Sequence, residues 1–207
     1  MNTNPAQNRR PVPVVIGPSA SGKSSVVRAL HDRGLVRLHP TWTTRPRRSD
    51  EIAGSPEHRF VSDEGFDDLA GSGFFLDTVT LFGLPHRYGL PPVAMSTEGP
   101  LDVVMLRAPL VARFARFVPN HLVYQIESEP EEARDRLLER GCIGAELAGR
   151  LVDNDREVAC GRRIADRVFV NDGDLDGLVE AVVAALLVDV PDAVEAVRSA
   201  SAMEAVR

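Results

Sequence analysis

Short runs of β-branched and aliphatic residues recur along the chain at 12–16, 101–106, 121–127 and 167–171. Their length and their Val, Ile and Leu content predict strands. Between them the apolar positions fall at helical spacing. Leu175, Leu178, Val179, Val182, Val183, Leu186 and Leu187 share one helical face, and a further helix is expected over residues 23–33. Strands alternating with helices predict an α/β fold of three layers, a parallel sheet flanked by helices. Between Thr41 and Pro92 the pattern changes to short alternating runs with many Gly and Pro and with aromatics at Phe60, Phe66, Phe74, Phe75 and Phe82. Fifty residues are too many for a plain loop, so this stretch predicts an inserted small α+β lobe, partly antiparallel. The polar segment 1–10 is expected to fray. The Ala/Val/Glu-rich tail 191–207 is expected to add a helix.

The first strand runs directly into Gly17-Pro18-Ser19-Ala20-Ser21-Gly22-Lys23-Ser24, a complete G-x-x-x-x-G-K-S loop, and then into the helix that also carries Ser25. The bare pattern arises by chance in roughly one chain in a hundred of this length, so the strand–loop–helix context is what gives it weight. In that context backbone N–H groups surround a nucleoside triphosphate. Gly17 and Gly22 allow close approach, Lys23 reaches the β- and γ-phosphates, and the Ser24 hydroxyl ligates Mg²⁺. A serine-capped turn would also explain the glycines, but not the lysine–serine pair that follows them.

A phosphate loop says what is bound and not what is done with it. A second anion site is offered by Thr43-Thr44-Arg45-Pro46-Arg47-Arg48, with Glu51 and Gly54 behind it. Arg45 and Arg48 are three residues apart in a Pro-broken loop, where two guanidinium forks can clamp one dianionic phosphate.

With these residues the chain resembles the guanylate kinase family, from Val12 to Leu187. The resemblance rests on the phosphate loop, Thr43-Thr44-Arg45 with Arg48, Glu51 and Gly54, Phe60-Val61-Ser62, Phe75-Leu76-Asp77, and Tyr88-Gly89. It continues in Arg136-Leu137-Leu138-Glu139-Arg140-Gly141, Arg150 and Val170-Asn171-Asp172. The resemblance implies a P-loop NTPase fold forming one domain over 1–207. Its core would be 11–40 and 93–190, its acceptor-binding lobe 41–92, its helical lid 141–155 and its tail 191–207. It implies ATP and Mg²⁺ as cofactors and a phosphotransferase that moves the γ-phosphate of ATP onto a nucleoside monophosphate, GMP above all. Gly17 to Ser25 would bind ATP. Arg45, Arg48 and Tyr88 would hold the acceptor phosphate, with Thr41, His58 and Asp77 completing the acceptor site. Lys23, Arg45, Arg140 and Arg150 would serve the transferring group.

Four departures from the family pattern stand out, the first of them at a pair of positions. Met105 and Arg107 stand where an Asp-x-Asp pair is expected, and Arg107 brings a positive charge suited to a further anionic group. His58 replaces the first phosphate-binding tyrosine, Asp77 shortens a guanine-reading Glu, and Leu90 replaces a hydroxyl-bearing residue. Ala53-Gly54-Ser55-Pro56-Glu57-His58 in turn resembles a loop of ribose 1,5-bisphosphate phosphokinase, which makes a sugar bisphosphate the alternative acceptor. A third reading is a non-catalytic module for nucleotides or phosphopeptides, although the intact Lys23 and Ser24 speak for turnover.

Composition narrows the partners. A net charge of −6 argues against nucleic-acid binding, which favours a basic face. No run of about 18 apolar residues suggests a membrane span. Cys142 and Cys160 lack metal-ligand spacing and a disulfide-rich context, which predicts a reducing cytoplasm. A monomer or homodimer is expected. His31, His39 and His86 show no ligand spacing and read as surface or loop groups. Trp42 either stacks on a base or packs within the lobe.

Overall fold

The computed structural model describes residues 10–47, 51, 56–80, 86–93 and 96–190. Its elements run β1 (Val12–Ile16), α1 (Lys23–Asp32), β2 (Val36–His39), β3 (Thr41–Thr43), β4 (His58–Phe60), α2 (Asp63–Gly71), β5 (Asp77–Thr80), β6 (Arg87–Leu90), β7 (Leu101–Met105), α3 (Ala108–Phe114), β8 (His121–Ser128), α4 (Pro130–Glu139), α5 (Gly144–Gly161), β9 (Arg167–Asn171) and α6 (Leu175–Asp189).

Five strands form a parallel sheet in the order β2-β7-β1-β8-β9. All five residues of β1 are buried, as a central parallel strand covered on both faces requires. Alternate side chains feed opposite cores. Val15 and Val103 join Val26, Val27 and Leu30 of α1 and Leu178, Val179 and Val182 of α6. Val12, Val14, Ile16 and Val104 join Val111 and Phe114 of α3. The four expected strands are all present, and the apolar face of α6 is buried from Leu178 to Leu186. Leu175 is the exception, exposed in the first turn, where the Asp174 cap accepts a hydrogen bond from Gly177 N–H at 3.0 Å. The sequence pattern misses β2. It is a four-residue edge strand whose Arg37 and His39 alternate with buried Val36 and Leu38, too short for periodicity to identify.

Strands β3 to β6 build a second, four-stranded sheet, β4-β3-β6-β5. The β3–β4 pair is parallel and the others antiparallel. Its aromatics form a small core. Phe66 is buried and stacks on Phe75 at 4.8 Å, and Trp42 sets its edge against Phe74 at 5.3 Å, so Trp42 packs the lobe. Gly89 is there for space, because a Cβ would lie 2.6 Å from the Phe75 ring. Phe82, Arg48, residues 53–55 and the tail fall outside the described residues. His39 turns out to be a structural group: it is half-buried and hydrogen-bonds Asp102 at 2.8 Å. The same carboxylate accepts from Ser96 N–H at 2.6 Å. Among the described residues no helix is long and apolar enough to cross a membrane.

Candidate active site

The loop after β1 lies at the carboxyl end of the parallel strands, where open α/β sheets place ligands. Its conformation depends on two glycines. Gly17 has φ +139° and a Cβ there would sit 2.0 Å from the carbonyl oxygen of Ile126; Gly22 has φ +96° and caps α1. Ala20, at φ 64°, is the one non-glycine with positive φ among the described residues. Such strain persists only where surrounding structure holds it, and here three side chains do so. Asn154 of α5 accepts from Ser19 N–H at 2.8 Å and donates to Ser19 C=O at 3.1 Å. Asn171 at the end of β9 donates to Ser21 C=O at 3.0 Å. Arg136 of α4 donates to Ala20 C=O at 3.2 Å. With the Ser19, Ala20 and Ser21 carbonyls engaged by these side chains, the N-terminus of α1 and the glycine-lined loop are left to meet an anion. The donor set here, backbone N–H groups at the start of α1 with Lys23 beside them, suits the chemistry of a triphosphate.

Lys23 Nζ donates to the carbonyls of Gly17 and Pro18, at 2.6 Å each. Burial lowers its pKa from the usual 10.5 to about 7, helped by the positive charge of Arg107 and opposed in part by Glu157. Arg140, at the end of α4, adds to the same positive field. A polyphosphate reverses the balance by supplying negative charge, so the lysine pKa rises when ATP enters. ATP binding at pH 8 is therefore expected to take up protons, and ATP affinity to fall as pH rises above about 7. Calorimetric titrations in two buffers of different ionisation enthalpy measure the uptake. Identical heats in both would refute the assignment.

Ser24 and Ser25 lie in the first turn of α1, half-buried and exposed respectively. Arg107, at the N-cap of α3, sets Nε 2.9 Å from Glu157 Oε2 and reaches Ser19 Oγ at 3.4 Å. The buried Glu157 also accepts from Ala108 N–H at 2.7 Å.

On the acceptor side Arg45 is 8 % exposed. It is paired through both terminal nitrogens with Glu51 and lies over the Phe60 ring at 5.1 Å. Burial opposes its charge, but Glu51 and the Tyr88 hydroxyl outweigh that and raise its pKa. Thr41 and His58 hydrogen-bond each other at 2.8 Å across β3 and β4. Asp77 is paired with Arg113 of α3. Thr41, Asp77 and Tyr88 line one cavity of about 30 Å³ whose floor is Leu106, Leu110 and Phe114. A larger concavity of about 460 Å³ lies between β9 and α6, around Arg167, Phe169 and Ala185, away from these groups.

The structure thus joins Lys23, Arg140 and the loop on one side, and Arg45, Tyr88, Thr41 and Asp77 on the other. Arg150 pairs with Glu146 within α5 at 3.0 Å, one turn from Asn154 and so on the same helical face. Sequence reasoning assigned no role to Asn154, Asn171, Arg136 or Glu157. Asn171 and Arg136 stand inside motifs already noted, and that was the only available signal. Asn154 and Glu157 carried none.

No family model matches the chain. Curated relatives do. It is 32% identical over 164 residues to the guanylate kinase of Symbiobacterium thermophilum, covering 77% of this chain and 76% of that one. It is 32% identical over 176 residues to the guanylate kinase of Mycobacterium sp. (strain MCS), covering 83% and 87%. The solved guanylate kinase of Anaplasma phagocytophilum superposes with a TM-score of 0.66 at 21% identity, over 88% of this chain and 87% of that one; at that identity the likeness concerns the fold. On the strength of the curated relatives, the chain belongs to the guanylate kinase family.

Proposed function

We propose that the protein transfers the γ-phosphate of ATP to the phosphate of GMP, giving ADP and GDP. One observation carries this reading: a continuous line of groups from the donor loop to the acceptor pocket. Arg107 reaches Ser19 of the phosphate loop at 3.4 Å, its neighbour Leu106 lines one cavity with Thr41, Asp77 and Tyr88, and Tyr88 pairs across the sheet with Thr43, two residues before Arg45. In this reading an acceptor phosphate held at Arg45 and Tyr88 meets a donor held at Lys23 across Arg107.

In the transfer, an oxygen of the acceptor phosphate bonds to the γ-phosphorus while the bond to the β–γ bridging oxygen breaks, and ADP leaves with that electron pair. Two polyanions must meet, so the protein's task is in-line positioning and charge neutralisation. Lys23 and the loop amides hold the donor. Arg45, Arg48 and Tyr88 hold the acceptor phosphate, Glu51 pre-orienting the Arg45 fork, and Thr41, His58 and Asp77 complete that site. Arg140 and Arg150 neutralise the transferring group. Mg²⁺ would supply positive charge that offsets the polyphosphate during transfer. Ser24 is the ligand this chain offers it, and the remaining positions suit phosphate oxygens and water, which Mg²⁺ retains readily. Among the described residues no group of three or more His, Cys, Asp or Glu is placed to hold a metal.

The reading also divides the chain by motion. A cavity of about 30 Å³ holds roughly one water and not a purine. Entry of GMP requires the 41–92 lobe to swing from the 11–40 and 93–190 core, and residues 141–155 to close afterwards and exclude water.

An ATP-consumption assay with GMP, dGMP, AMP, UMP and ribose 1,5-bisphosphate tests the reading. Rapid use of GMP is expected. Exclusive use of the sugar bisphosphate would replace the acceptor, and silence with all five alongside tight ATP binding would make the protein a non-catalytic binder. Arg45→Ala is expected to raise the KM for GMP and lower kcat together; an unchanged acceptor response would remove Arg45 from the site.

A further inference from the structure

The residue that departs most sharply from the family pattern occupies the most central position. Arg107 follows β7 directly and caps α3. Its neighbours Leu106 and Leu110 line the acceptor cavity, while its own guanidinium reaches back to Ser19 of the phosphate loop at 3.4 Å. It therefore stands between the two anion sites. Its orientation is fixed by Glu157, which is 3 % exposed and holds both the Arg107 Nε, at 2.9 Å, and the first N–H of α3, at 2.7 Å. Glu157 lies three residues beyond Asn154, on the face of α5 that braces Ser19. One helix face thus positions the loop and the arginine together. The side chain keeps 16 % of its surface open, enough for a fork to present N–H groups to a ligand.

Building on the proposed phosphoryl transfer, we infer that Arg107 is a catalytic residue whose guanidinium bridges the γ-phosphate of the donor and the phosphate of the acceptor. A cation at this point meets charge from both sides, and the planar fork can donate to oxygens of two groups at once. As the acceptor oxygen bonds to phosphorus and the β–γ bridging oxygen departs, charge spreads over the equatorial oxygens. A fixed donor there stabilises that state more than the ground state. Arg107 stays protonated throughout and exchanges no proton. Its presence also explains how the chain manages without the acidic pair: positive charge is delivered by a side chain at the place where relatives carry carboxylates.

The test uses the full chain and compares wild type with Arg107→Ala and Arg107→Gln, the second keeping a polar side chain should the first fail to fold. Turnover of GMP, ATP affinity and rescue by millimolar guanidinium chloride are measured for each. We expect kcat to fall by about 10- to 100-fold, ATP affinity to change by less than about fivefold, and guanidinium to restore part of the lost turnover, as a small cation filling the vacated place does. A kcat within threefold of wild type would overturn the inference. So would a loss of turnover matched by an equal loss of ATP affinity and untouched by guanidinium, which would reduce Arg107 to a brace for Ser19. Wild-type controls separate this inference from the acceptor assignment. If wild type uses ribose 1,5-bisphosphate and not GMP, the acceptor assignment falls and the comparison is made with the sugar bisphosphate. If wild type turns over neither, both fall.

Discussion

Lys23→Ala is expected to lower kcat by at least ~100-fold, towards ~1,000-fold, while the protein remains folded. Among the described residues Lys23 Nζ donates to two carbonyls, both of its own loop. The alanine variant loses those bonds and also relieves a buried positive charge that Arg107 and Arg140 oppose. Stability should therefore change little, or rise slightly. On the proposed mechanism catalysis suffers because developing negative charge on the transferring group loses one of the cations that offset it. Steady-state kinetics together with a thermal melt separate the two effects. Wild-type turnover in the variant would remove the proposed mechanism. A large fall in Tm would show that the lysine holds the loop together and was misread as catalytic.

Gly17→Ala is expected to have the second largest effect, this time on both folding and binding. The added Cβ lies 2.0 Å from the Ile126 carbonyl oxygen and 3.1 Å from its carbon. That backbone belongs to β8, which pairs with β1 along all five residues of β1 and cannot withdraw cheaply. The φ of +139° adds strain for any L side chain, at about 1–3 kcal/mol. The loop must move away from β8, taking the Ser19 and Ala20 contacts with it. A loss of about 3 kcal/mol lowers Tm by roughly 6–12 °C in a domain of this size, and ATP binding should be lost or reduced by more than ~100-fold. Differential scanning calorimetry with and without ATP checks both. A variant that melts with wild type and keeps its ATP-induced shift would mean the loop does not need this close approach.

The two variants fail differently because one changes charge in an intact cradle and the other changes the cradle. This contrast also shows what kind of information each position carried. Lys23 and Gly17 were legible in the sequence because the phosphate loop is made of consecutive residues. A strand, a tight turn and a helix start need no distant partner to be recognised. The same holds for β1, β7 and β8, whose buried runs announce a parallel sheet, and for β9, which its Val and Phe content marks although Val168 and Val170 are exposed. Arg45 and Glu51 are six residues apart and form an ion pair, so that pairing was also close to local.

Other parts of the site depend on contacts that no local pattern encodes. Asn154 meets Ser19 across 135 residues, Asn171 meets Ser21 across 150, and Ala108 meets Glu157 across 49. A polar residue on a mostly solvated helix looks the same in sequence whether it faces water or a strained loop. Only the packing of α5 against α3 and α4 decides which. Arg107 illustrates the limit best. The sequence flagged it as a charge of unexpected sign after β7, but its pairing with Glu157 and its reach to Ser19 appear only once α5 crosses the end of the sheet.

By itself, then, the chain's order of residues determined the layered α/β plan, the glycine-lined loop after β1 and the local pairing of Arg45 with Glu51, since backbone conformation, burial pattern and short-range charge pairing act over a few residues. Tertiary structure decided the orientation of Arg107, the bracing of the loop by Asn154 and Asn171, and the meeting of Thr41, Asp77 and Tyr88 in one cavity. The reason is geometric. Right-handed crossovers between parallel strands bring together the carboxyl ends of segments far apart in the chain, and directional contacts formed there depend on positions that periodicity does not specify.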